Sequence, residues 1–240
     1  MAEQIIYSPE TIIKAYSCGV FPMAQSRDDP ELRFYEPAIR GVIPITPPHI
    51  PRRLIRFAKQ STWQVTFNTA FADVVRHCAE MRADNTWINA EIETLYFALH
   101  KMGFGHSVEI WDGNRLVGGL YGLSLGSAFF GESMFSTASN ASKLALAYLM
   151  AALHKAQFSL LDAQFTSDHL RQFGLIDMPQ PEFKQSLGMA LGQPATMPLH
   201  LSQTEILDHL LQLRSVTSYT ACSSPDKAGD EANIQPENTV

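Results

Sequence analysis

The chain has 240 residues, 45% of them hydrophobic and 18% charged, with a net charge of −6. A chain this apolar can offset its folding entropy by burial, which excludes global disorder, and the length suits one large domain or a domain with a small appendage. The longest apolar stretch, 144–153, falls far short of the ~20 residues that span a bilayer, and the first residues lack the basic-then-apolar pattern of a signal peptide.

In chain order, Ser8-Pro9-Glu10 reads as a helix start, with an N-cap, a proline at N1 and a carboxylate in the first turn. That helix buries Ile12, Ile13 and Tyr16 and stops at Gly19. A loop rich in Pro and Asp follows, then short extended pieces at 33–35 and 41–45, and a basic helix reaching about Gln60. Trp63, Val65 and Phe67 alternate as in a strand. Phe71, Val74, Val75 and Cys78 recur at helical spacing, as do Ile92, Leu95, Tyr96, Leu99 and Met102 behind an Asn89 cap. Strands at 106–111 and 115–121 flank the turn Asp112-Gly113-Asn114, and 127–130 reads as a third strand. A long apolar helix over 139–154, a buried strand at 158–161, a short helix at 166–173, a strand at 175–178 and helices at 181–191 and 205–214 complete the reading. The tail after Ser223 has the composition of disorder.

Charge and cysteine usage narrow the partners. Asp226, Asp230, Glu231 and Glu237 stand against Lys227 in the tail, so half of the acidic excess sits there. Between Glu36 and Asp73 there is no acid, whereas Arg40, Arg52, Arg53, Arg56 and Lys59 form a local basic block able to attract an anion. Cys18, Cys78 and Cys222 are far apart and odd in number, which speaks against a disulfide framework or zinc site and for a reducing compartment.

The element order β-α-α-β-β-β-α-β-α-β resembles the GNAT-type acyltransferase core. The expectation is therefore an α/β (α+β) protein in three parts. These are a small N-terminal domain over 1–40, a GNAT-like core with a mixed sheet flanked by helices over 41–200, and a C-terminal extension over 201–240. A CoA-dependent member would need a glycine-rich pyrophosphate loop after the fourth core strand. The stretch from Gly131 to Asn140 has one glycine, at the wrong end, and no basic residue before Lys143.

Several stretches then stand together in one order and spacing: Thr86-Trp87-Ile88, His106-Ser107-Val108-Glu109-Ile110-Trp111, Val117-Gly118-Gly119-Leu120-Tyr121-Gly122, Gly131-Glu132-Ser133-Met134-Phe135-Ser136, Asn140-Ala141-Ser142-Lys143, and Asp162-Ala163-Gln164 with His169. Over roughly residues 9–190 the chain resembles the leucyl/phenylalanyl-tRNA–protein transferases. The resemblance implies transfer of Leu or Phe, with Met as a further candidate, from aminoacyl-tRNA to an N-terminal Arg or Lys of a protein. That product marks the protein for N-degron degradation. The accompanying expectations are a cytoplasmic enzyme with no metal, no cofactor and no membrane partner; the sequence does not fix the oligomeric state, for which a monomer is the working assumption. Two other readings stand beside it: a CoA-dependent GNAT-type acyltransferase, and a non-catalytic tRNA-binding module.

On this resemblance the catalytic residues are Asp162, Gln164 and Glu132. Gln164 contacts the attacking amine, Asp162 supports it and Glu132 lines the same site. Asp162 and Gln164 are two apart at a strand end and share a face; spacing alone suits a helix cap and a core amide equally well. The proton acceptor is open among Asp162, water and the substrate's ribose hydroxyl. The donor side chain would enter a pocket of Trp87, Leu120, Phe129, Leu146, Leu149, Leu153 and Leu161, each of which also suits a plain core. Phe34 and Tyr35 would stack on the terminal adenine. Arg52, Arg56 and Lys59, spaced four and three apart on one helical stripe, would hold tRNA phosphates, the alternative being an ordinary solvated face. Relatives with a longer N-terminal segment make this N-terminal domain an abbreviated one, and the stretch past ~200 matches nothing in the family pattern.

Overall fold

The computed structural model describes residues 7–81 and 86–220. Helix α1 (Pro9–Ser17) starts as expected, with the Ser8 hydroxyl accepting the Thr11 amide at 3.3 Å, and the chain leaves it through Gly19 at φ +83°. Strands β1 (Phe21–Met23) and β2 (Arg33–Tyr35) pair antiparallel, Phe21 opposite Tyr35. β1 lies where the sequence reads as loop; three residues are too few to show a period. The next elements are β3 (Ile39–Val42), α2 (Arg52–Gln60), β4 (Gln64–Phe67), α3 (Phe71–Glu80), α4 (Ala90–Lys101), β5 (Gly105–Asp112) and β6 (Arg115–Leu125). They are followed by β7 (Ala128–Ser136), α5 (Ala141–Lys155), β8 (Leu160–Gln164), α6 (Asp168–Arg171), β9 (Ile176–Pro179), α7 (Gln180–Leu191) and α8 (Gln203–Thr220).

From β4 to β9 the succession is the one expected. The strands form a seven-stranded mixed sheet in the order β4-β5-β6-β7-β8-β3-β9. Every neighbouring pair is antiparallel except β7 and β8, which run parallel and are joined by the crossover helix α5. The pleat divides the core into two faces. Leu120, Phe129 and Leu161 join α5, α2 and the apolar side of α8; their neighbours Tyr121, Phe130 and Leu160 join α1, α3, α4 and α7. Helices thus flank the sheet on both sides.

Residue 40, the expected end of the N-terminal domain, falls inside β3, which is inserted between β8 and β9. Ile12, Tyr16, Phe21 and Leu32 share one apolar cluster with α3, α4 and α7, so the N-terminal piece has no separate core. The largest difference from the sequence reading concerns 131–136, taken there as part of the loop before the long helix. These residues continue β7, paired with β6. The run Gly-Glu-Ser-Met does not alternate cleanly because a bulge at Glu132 interrupts the pleat and all four residues border one cavity. The acidic tail expected after Ser223 lies outside the described residues. Among the described residues no helix is long and apolar enough to cross a membrane.

Candidate active site

The parallel pair opens the site. β7 and β8 are in register at Ala128 with Leu160, Phe129 with Leu161 and Phe130 with Asp162, and the pairing ends there. Beyond that point β7 stays with β6, while β8 stays with β3, where Gly41 stands opposite Gln164. Each diverging strand carries an extra residue. Tyr121 faces Ser133 and Gly122 faces Gly131, leaving Glu132 as the bulge of β7; Ala163 is likewise unmatched between Asp162 and Gln164. A bulge re-aims its side chain, and here it turns Glu132 toward β8. Gly122 must lack a side chain, since a Cβ there would lie 2.2 Å from the Phe130 carbonyl oxygen.

Between the splayed strands lies a cavity of ≈ 390 Å³, its walls including Ile43, Leu120, Met134, Leu146, Leu149 and Leu161, its polar end Glu132, Asp162 and Gln164. Asp162 is fully buried and forms a two-pronged pair with Arg40, Nε to Oδ1 at 2.9 Å and a terminal guanidinium nitrogen to Oδ2 at 2.7 Å. Its Oδ1 also accepts the backbone amide of Gln164 at 2.8 Å, closing a turn in which Gln164 takes φ +57°. The Gln164 side-chain amide then donates to Glu132 Oε1 at 3.0 Å. The hydroxyls of Tyr16 and Tyr96 lie within hydrogen-bond distance of Glu132 (2.7 and 2.8 Å) and of each other. Their two phenol protons serve two of these three contacts while Glu132 is ionised, and the third is filled when Glu132 carries its own proton.

The two carboxylates are held in different states. Burial pushes Glu132 up to about 7; the tyrosine hydroxyls and Arg40 oppose that shift and the charge of Asp162 adds to it. Glu132 therefore sits between its acid and base forms near neutral pH. Burial also raises Asp162, against the pull of Arg40 and the Gln164 amide. Protonating Asp162 would strand the guanidinium of Arg40, itself only 1% exposed, as an uncompensated buried charge, so Asp162 stays anionic. Burial and the Glu132 charge raise both Tyr16 and Tyr96 well above the ordinary phenol range, keeping their protons available for donation. Glu109, also fully buried, serves elsewhere: it accepts from Thr66 and Ser107 and from the amides of Thr69 and Ala70, holding the turn that leads into α3.

The structure brings Asp162, Gln164 and Glu132 together, and Trp87, Leu120, Leu146, Leu149 and Leu161 border the cavity beside them. Phe129 and Leu153 are fully buried and lie in the core behind it. Phe129 precedes the point where the strands part, and Leu153 belongs to the last turn of α5, whereas the cavity opens toward its first turns. Phe34 and Tyr35 stand on β2 outside the cavity wall. Phe34 is exposed and meets the edge of Tyr7, and Tyr35 stacks on Phe21, which does border the cavity. Arg52, Arg56 and Lys59 lie exposed along α2 with Leu54, Ile55 and Ala58 turned inward, and none has an ion pair among the described residues. His169 borders the cavity, its basicity reduced by burial and by Lys143.

Sequence reasoning missed three functional-site neighbours. Arg40 was one cation in a basic block, and Tyr16 and Tyr96 were apolar-face residues of their helices. The signal for the tyrosines was present, because a phenol on a buried helix face needs a partner for its hydroxyl. Among the described residues no three His, Cys, Asp or Glu side chains cluster as metal ligands would.

Residues 42–188 match the family described as leucyl/phenylalanyl-tRNA protein transferase, and residues 6–38 match that family's N-terminal domain. A leucyl/phenylalanyl-tRNA–protein transferase of Hyphomonas neptunium is 54% identical over 187 residues, covering 77% of this chain and 72% of the relative. Those of Rhodospirillum rubrum and Nitrobacter winogradskyi are 48% and 50% identical, over 78% and 77% of this chain and 89% and 83% of their own. The chain is thus an aminoacyltransferase. It belongs to the leucyl/phenylalanyl-tRNA–protein transferase family.

Proposed function

We propose that this protein transfers Leu or Phe, with Met as a third donor, from aminoacyl-tRNA to the α-amine of an N-terminal Arg or Lys, forming a peptide bond that marks the acceptor for N-degron degradation. The observation that carries the reading is an apolar cavity closed at one end by Gln164, the anionic Asp162 and the near-neutral Glu132. The donor is an activated ester, so the site has to align two substrates and move protons rather than supply activation.

In this reading the donor side chain lies against Leu120, Leu146, Leu149 and Leu161, which places the ester carbonyl toward the polar end. Gln164 has its NH₂ committed to Glu132, which leaves its carbonyl oxygen to accept from the incoming ammonium. One ammonium proton passes to Glu132. The freed nitrogen attacks the ester carbon, the C–N bond forms as the bond to the ribose oxygen breaks, and the second proton leaves with that oxygen. Asp162, its charge balanced by Arg40, holds Gln164 in place. A neutral amide is a poor base, which favours Glu132 over Gln164 as the proton's destination. An unbranched thioether such as Met fits the same slot, because a methylene is worth only ~1–3 kcal/mol of discrimination.

The cations of α2 supply tRNA affinity through phosphates, without sequence reading. Since the donor substrate is charged tRNA, the reaction belongs in the cytoplasm. Mixing the protein with Leu-tRNA and a peptide beginning with Arg tests the proposal. A mass increase of one leucine residue on the peptide supports it; no addition, with intact Leu-tRNA present, overturns it.

A further inference from the structure

The guanidinium of Arg40 is held from several directions. Beyond the two-pronged pair with Asp162, its remaining terminal nitrogen donates to the Gly19 carbonyl at 3.0 Å, at the end of α1. The rings of Phe21 and Phe183 lie over it with centroids at 4.6 and 4.5 Å, one from β1 and the other from α7. Arg40 itself sits on β3, the strand that flanks β8 on the side away from β7. The N-terminal piece, α7 and the sheet thus converge on one planar cation with little room to move.

That cation reaches the chemistry in two steps. The Asp162 oxygen bonded to Arg40 Nε is the same Oδ1 that accepts the Gln164 amide, and the turn so closed sets Gln164 in a left-handed conformation that L side chains adopt at a cost. The Gln164 side chain aims from that turn at Glu132. Gly41, the residue after Arg40, faces Gln164 across the β3–β8 pair, and a Cβ on it would stand 2.8 Å from the Phe165 carbonyl oxygen. The backbone on both sides of the turn is therefore tightly seated.

We propose that Arg40 is a positioning residue for the transfer reaction: through Asp162 it fixes the Gln164 turn, and with it the amide that meets the attacking amine. Arg40 touches neither substrate. The fork matters as well as the charge, because only a planar guanidinium engages both carboxylate oxygens in this geometry. The inference rests on the transfer reading above, and wild-type leucine addition tests that reading separately.

A double-mutant cycle on the transfer rate tests Arg40. Arg40→Gln is expected to lower kcat ~100-fold, the scale of a small misplacement at a reacting centre, with KM for aminoacyl-tRNA within ~2-fold of wild type. Asp162→Asn is expected to cost a similar factor, and the double variant no more than Asp162→Asn alone, because Arg40 acts only through Asp162. Arg40→Lys, which keeps the charge and loses the fork, is expected to fall ~10-fold. Arg40→Gln leaves a buried carboxylate unpaired and Asp162→Asn a buried guanidinium; if either does not fold, Arg40→Lys, which keeps both charges and loses only the fork, decides. A double variant worse than Asp162→Asn by ~10-fold or more overturns the proposal, as does a folded Arg40→Gln or Arg40→Lys with wild-type kcat.

Discussion

Gln164 donates to Glu132 Oε1 at 3.0 Å, and this bond joins the end of β8 to the bulge of β7 across the gap where the two strands part. Removing it separates alignment from binding. Gln164→Ala is expected to slow transfer ~100-fold while leaving tRNA affinity nearly unchanged, because no phosphate contact is lost. Single-turnover rates beside filter-binding affinities check this, and a parallel loss of both would remove the positioning role.

Glu132 makes stability depend on pH with a definite sign. Its folded value is about 7 against an ordinary 4.5, so between those pH values the folded protein holds a proton that the unfolded chain has released. Stability contributed by that proton is complete below the ordinary value and is lost as pH rises through about 7, amounting to on the order of 3 kcal/mol. Glu132→Gln abolishes this dependence. The variant should gain on wild type between pH 5 and pH 8 in urea unfolding midpoints, although its transfer activity falls. A stability difference that does not change with pH would refute the assignment.

The basic stripe of α2 predicts salt dependence. Each of Arg52→Ala, Arg56→Ala and Lys59→Ala should weaken aminoacyl-tRNA binding and flatten the plot of log affinity against log salt by ~0.7–1 per phosphate contact removed. Transfer at saturating donor should be preserved. Unchanged slopes in all three variants would return α2 to the status of a solvated surface.

Helix α8 lies beyond residue 188, where the family match ends, yet it is tied to the sheet edge. Gln203 accepts the Val65 amide and donates to the Trp63 carbonyl, each at 3.0 Å, closing one edge of β4, while Ile206 and Leu210 are fully buried. Gln203→Ala should cost ~1–3 kcal/mol, the scale of leaving buried partners unsatisfied. The urea midpoint should shift with an unchanged m-value. A midpoint equal to that of wild type would show that solvent replaces the amide without cost.

Much of the fold was legible because its signals are local. Capping at Ser8 and Asn89, the helical spacing of Ile92, Leu95 and Leu99, and the strand–turn–strand pattern around Gly113 each lie within a few residues of sequence. The end of β7 was not legible. A bulge exists only relative to the register of its partner, and nothing in Gly131-Glu132-Ser133 names Tyr121 and Gly122 as the residues opposite.

Periodicity and motif spacing are properties of the chain alone, so they carried most of the element order and the family resemblance, and it was that resemblance that singled out Asp162, Gln164 and Glu132. Tertiary structure decided which charges are spent and which are free. Arg40 meets Asp162 across 122 positions and Tyr16 meets Glu132 across 116, whereas Arg52 and Arg56 stay in solvent. An arginine bound for the core and one bound for the surface read alike in a sequence. Burial, which only packing assigns, removes competing water and commits Asp162 to its partner while leaving Glu132 near neutrality.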